Sequence, residues 1–142
     1  MSLNKNSCKK NIWKASITST SVLYFLVSAI FVHIIRNDYD PFRQPLSDYA
    51  VGTYGWTVRL AFWFIGIGII FLALSLRHCV ASKMRFRLDL LALWIAGLGM
   101  LLGGTFQNDV DPLVSTFGDN VHDLGTFSTL TGLAIASLIT SL

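Results

Sequence analysis

Residues 60–76 read LAFWFIGIGIIFLALSL, 17 consecutive positions without a formal charge, bounded by Arg59 and Arg77. A helix that is apolar on every side has no face to offer water and must lie in apolar surroundings. Crossing a bilayer takes about 20 such residues, with a range of about 17 to 25. The run reaches that length when Trp56 and Arg59 snorkel to the interface. Three further stretches are of the same kind. Residues 15–35, 90–106 and 124–142 hold 21, 17 and 19 uncharged positions.

Composition leads to the same conclusion. The 142 residues are 53% hydrophobic and 13% charged, where soluble chains carry about 25% charged residues. Four such helices buried in a soluble protein would need amphipathic partners, and the rest of the chain has no length for them. The predicted class is therefore all-α, a polytopic transmembrane helical bundle with four membrane-spanning helices. A basic leader, 1–14, precedes a four-span membrane domain, 15–142, with spans at about 15–36, 56–77, 88–106 and 122–142. The first span has the basic leader of a signal peptide and a small-residue site at Val27-Ser28-Ala29. Its apolar run is longer than a signal core of about 7–15 residues, so an uncleaved anchor is expected.

Orientation follows from Lys and Arg beside the spans. The leader (Lys5, Lys9, Lys10, Lys14) and the middle loop (Arg77, Lys83, Arg85, Arg87) hold eight, against three (Arg36, Arg43, Arg59) on the other side. That count places both termini in the cytoplasm and the aspartate-rich loops outside, in a plasma (inner) membrane. The net charge of only +3 is spent on this asymmetry, so no nucleic-acid partner is expected. Cys8 and Cys79 then face a reducing compartment and are not expected to pair.

All eight acids are aspartates, and only Asp89, four residues after Arg85, falls on the inner side. Asn37-Asp38-Tyr39-Asp40-Pro41 recurs as Asn108-Asp109-Val110-Asp111-Pro112, which raises a parallel two-span duplication beside the simple reading of shared turn chemistry. Two prolines interrupt the first outer loop, where residues 46–51 are expected to form a short turn capped by Ser47 or Asp48. Asp119 or Asn120 is the expected N-cap of the fourth span. Small residues at Ser128, Gly132, Ala136 and Thr140, and at Gly99 and Gly103 with Ala92 and Ala96, are expected to pack the last two spans closely.

Pro45-Leu46-Ser47-Asp48 followed by Gly52, Gly55 and Trp56 resembles the first-loop pattern of the domain-of-unknown-function 998 family of bacterial and archaeal multi-pass membrane proteins. Gly103-Gly104-Thr105-Phe106-Gln107-Asn108-Asp109 resembles that family's glycine-rich helix end, and His122-Asp123-Leu124-Gly125 the opening of its next helix. Gln107 departs from a proline common in the family, and members are usually longer, so the resemblance implies either a truncated product or a shortened member. It implies an address and no reaction.

The candidate ligand-binding residues are Asp48, Asp109, His122, Arg59, Ser47 and His33, a polar cluster at the outer face. Ionisable groups at membrane depth are costly and tend to be functional. The first reading is a site for a small polar ligand, an anionic lipid headgroup or a cation, with the lipid bilayer as partner. An intramembrane lipid-acting hydrolase or a metal- or haem-binding protein is the second reading, with His122 and Asp109 in the acid–base or ligand roles. A structural or assembly subunit with no site of its own is the third, and a homo-oligomer is a further expected partner. Enzymatic activity stays open, no cofactor is required by the sequence, and three histidines do not share one layer as a three-histidine zinc site would need.

Overall fold

The computed structural model describes residues 12–79, 84–107 and 116–141. In order these form α1 (Ile12–Ile35), a 3₁₀ turn (Leu46–Ala50), α2 (Gly55–Cys79), α3 (Met84–Thr105) and α4 (Phe117–Ser141). All four helices are long and apolar enough to cross a membrane. The all-α, four-span architecture expected from the charge-free stretches is the one observed.

Each helix packs chiefly on its neighbour in the chain: α1 on α2, α2 on α3, α3 on α4. The connection after α1 and the one after α3 therefore share one end of the molecule, here called the acidic end because Asp38, Asp40, Asp48 and Asp119 lie there. The opposite, basic end carries Arg77 and Arg87. Within the spanning windows 44% of residues are buried for α2 and α3, but only 17% for α1 and 22% for α4. The flanking helices instead expose large apolar side chains, among them Leu26, Ile30 and Ile34 on α1 and Leu124, Phe127 and Leu130 on α4. Such faces suit hydrocarbon rather than water.

Towards the basic end the core is made by Ile69 and Ala73 of α2, Ala92, Leu93 and Ala96 of α3, and Ala136 of α4. Small residues let α3 and α4 approach here. A Cβ on Gly132 would lie 2.6 Å from Ala92 O, and one on Gly125 would lie 2.5 Å from Gly99 O. The Thr129 hydroxyl reaches across to Ala96 O at 3.1 Å. The buried row on α4 is thus Gly125, Thr129, Gly132 and Ala136, not the strict four-residue row through Ser128 and Thr140. A helix turns once in 3.6 residues, so a row of fixed spacing four drifts off the contact face.

Two caps also differ from expectation. The fourth helix starts at Phe117, with the Thr116 hydroxyl 3.4 Å from the Asp119 amide. Thr116 is therefore the N-cap, and Asp119 sits in the first turn, where its charge favours the helix dipole. The expected turn after Pro45 is present as the 3₁₀ helix, but Pro45 occupies the cap position and no side chain caps it. Cys8, Asp109 and the second copy of the Asn-Asp-x-Asp-Pro motif lie outside the described residues.

Candidate functional site at the acidic end

The first outer connection is organised by Arg36, at the end of α1. Its amide continues the helix to Val32 O at 2.9 Å, and its side chain is buried, 7% exposed. Nε donates to both carboxylate oxygens of Asp38 (2.8 and 3.1 Å), and Nη2 donates to Oδ2 at 2.7 Å. Nη1 donates to Val51 O at 2.9 Å and Thr53 O at 2.6 Å, and the guanidinium lies 4.6 Å over the Tyr39 ring. Gly52, at φ +78°, brings the backbone close to Nη2. The planar fork of arginine suits such a set of acceptors. The hydrogen bond to Arg36 holds the Asp38 carboxyl below its ordinary range, and the same bond favours charged Arg36.

Tyr49, in the 3₁₀ turn, is fully buried. Its ring lies 4.8 Å from that of His33 and 4.7 Å from that of Tyr39. Its hydroxyl has no hydrogen-bond partner among the described residues. Burial pushes the phenol above its ordinary value, and the charge of Asp40 adds to that push. Ser47 and Asp48, on the same turn, are half-buried. His33 is exposed on α1, with Nδ1 2.6 Å from Ala29 O.

His122 is 2% exposed, in the second turn of α4. Its Nδ1 stands 2.9 Å from Gly103 O and 2.8 Å from Phe106 O. These are carbonyls at the end of α3, which have no partner within their own helix. Both are acceptors, so the geometry assigns the proton to Nδ1.

On the other flank of the same helix end, Trp56, Arg59, Leu60 and Trp63 of α2 face Gly104 and Thr105 of α3 across a cleft of about 470 Å³. A Cβ on Gly104 would lie 2.5 Å from Trp63 Cδ1. Both tryptophans are about half-exposed, at 55% and 45%. The Arg59 Nε is sealed from solvent and has no hydrogen-bond partner among the described residues. Among the described residues the ion pairs are Arg36–Asp38 and Arg43–Asp40, and neither includes Arg59.

The sequence-derived candidates thus fall into three places. His33 joins Ser47 and Asp48 around the Tyr49 turn, His122 ties α4 to α3, and Arg59 lines the cleft. No three His, Cys, Asp or Glu side chains converge as a metal set among the described residues. Arg36 and Tyr49 were not among the candidates. Arg36 counted only towards orientation, although an arginine at a span end two residues before an aspartate is a usable signal for such a clamp.

The fold and these contacts define a polytopic helical membrane protein with an ordered connection at its acidic end. The chain belongs to the family of proteins of unknown function DUF998, whose model matches residues 20–142. This is the family that the loop motifs resemble. No curated protein and no solved structure matches the chain.

Proposed function

We propose that this protein binds an anionic lipid headgroup at its acidic end, in the α2–α3 cleft, and that this end faces outward from a plasma membrane. The observation that carries the reading is the Arg59 Nε, buried and without an acceptor among the described residues. A buried donor left unmade costs about 1–3 kcal/mol, more for a charged group, and a phosphate or carboxylate oxygen would remove that penalty with a charge-assisted bond. Trp56 and Trp63 give the cleft the amphipathic walls that tryptophan supplies at membrane interfaces. Leu60 and Gly104 extend it along the helices, where an acyl chain fits. Outward orientation rests on the eight-to-three count of basic residues.

The test is native mass spectrometry of detergent-purified protein titrated with phosphatidylglycerol or phosphatidylcholine. Wild type is expected to retain phosphatidylglycerol preferentially, and Arg59→Gln to lose that preference while staying folded. Equal retention of the two lipids by wild type would overturn the reading. So would an Arg59→Gln variant that keeps the preference.

A further inference from the structure

At the basic end, remote from the cleft, a second ionisable group is buried in the bundle. Asp89 lies in α3, inside the spanning stretch Phe86–Thr105, and is 6% exposed. Its Oδ1 is sealed from solvent and has no hydrogen-bond partner among the described residues. Oδ2 faces the hydroxyl of Thr140, on α4, at 3.5 Å. That hydroxyl lies much closer, at 2.7 Å, to Ala136 O of its own helix.

A hydroxyl has one proton, and a backbone carbonyl can only accept. The short contact therefore commits the Thr140 proton to Ala136 O, leaving Thr140 Oγ1 an acceptor towards Asp89. A carboxylate is also an acceptor only, so an ionised Asp89 would set two acceptors against each other with Oδ1 left bare. Among the described side chains, neighbouring charge does not relieve this. Arg77 of α2 and Arg87 of α3 are both exposed, and neither described ion pair includes Asp89. The last turn of α4, through Ile139, Thr140 and Ser141, carries no ionisable side chain.

We propose that Asp89 is a proton-binding site, a neutral carboxylic acid whose Oδ2–H donates to Thr140 Oγ1 and latches the end of α4 to α3. Thr140 is itself exposed, whereas Asp89 is buried. Loss of the proton leaves a bare carboxylate that only water entering between the helices can solvate. Proton release and opening of the α3–α4 seam at this end are thereby linked.

Infrared spectroscopy of the full chain in lipid nanodiscs at neutral pH reads the proton directly. Wild type is expected to show a protonated-carboxyl C=O band that shifts in D2O and is lost in Asp89→Asn. Thr140→Val is expected to move that band to higher frequency by removing its acceptor. The asparagine variant, which keeps a donor and carries no charge, is expected to unfold no more readily than wild type. If Asp89→Asn removes only carboxylate bands, the site is ionised and the proposal is overturned. Should that variant fail to fold, a Thr140→Val band identical to wild type, or no protonated-carboxyl band in wild type, overturns it equally.

Discussion

The imidazole of His122 ends the third helix from the fourth: its Nδ1 lies 2.9 Å from the carbonyl oxygen of Gly103. Phe106 O, at 2.8 Å, shares the same proton. His122→Ala removes the donor from two carbonyls at a buried site, at a cost of about 1–3 kcal/mol. His122→Asn places an amide donor near the position of Nδ1 and is expected to recover part of that loss. Thermal unfolding in detergent measures both. Equal destabilisation by the two variants would show that ring packing, rather than the hydrogen bonds, is what His122 contributes.

Tyr49 separates packing from polarity in one side chain. Its ring lies against those of His33 and Tyr39, tilted by 33° and 32°, while its hydroxyl is buried without a partner among the described residues. Tyr49→Phe keeps the ring and removes an unmade hydrogen bond, so stability is expected to hold or rise by about 1 kcal/mol. Tyr49→Ala leaves a ring-sized cavity and is expected to cost about 3–5 kcal/mol. A phenylalanine variant that unfolds markedly earlier than wild type would mean that the hydroxyl is bonded.

The Arg36–Asp38 clamp gives the first connection a pH dependence with a definite sign. The Asp38 carboxyl is held below its ordinary value of 3.8 by its hydrogen bond to Arg36. A lowered carboxyl contributes stability that is fully present above the unfolded value and is lost as pH falls through the folded one. Asp38 is 61% exposed, so solvent and salt screen the effect. Limited proteolysis of the connection 36–54 is expected to accelerate below that pH in wild type but not further in Asp38→Asn. Arg36→Lys is expected to speed cleavage at all pH values, because one ammonium cannot reach Asp38, Val51 O and Thr53 O together.

How much of this was legible in the sequence depends on the distance over which each feature is decided. The four helices were readable because a charge-free run of sufficient length has few alternatives in water. The start of α4 was misread because Thr116 and Asp119 are both good caps, and only the backbone path distinguishes them. The contact row on α4 was misread for a related reason: Ser128 and Thr129 both belong to small-residue rows, and choosing between them requires the position of α3. Tyr49 was invisible as a core residue, because nothing local announces that the 3₁₀ turn folds back against α1 and α2. Among the candidate site residues, Arg59 stands out in the sequence by its depth, but the cleft it lines forms only when α2 meets Gly104.

Close packing of α3 on α4 predicts a contrast between neighbouring positions. Gly132 has no space for a Cβ, which would lie 2.6 Å from Ala92 O and 3.0 Å from Ala96 Cβ, whereas Leu133 is 38% exposed. Gly132→Leu must push the helices apart, and overpacking of this kind costs about 1–3 kcal/mol or more. Leu133→Ala, on the lipid-facing side, is expected to change the unfolding temperature much less. Similar small shifts from both would remove this seam as a close helix contact.

The proposed orientation rests on eight basic residues beside the spans at one end against three at the other. Lys and Arg resist translocation and so hold their end of a helical bundle in the cytoplasm. Reporter fusions after Lys83 are expected to read cytoplasmic, and fusions near Gln44 or Thr116 external. The middle loop is the decisive position, because Arg77, Lys83, Arg85 and Arg87 supply half of the larger count. Replacing Lys83, Arg85 and Arg87 with glutamine is expected to weaken the bias and yield mixed topology. An external signal after Lys83 in wild type would invert the molecule. The Arg59 cleft would then open on the cytoplasmic leaflet, its proposed lipid would be drawn from that side, and Asp89 would exchange its proton with the outside.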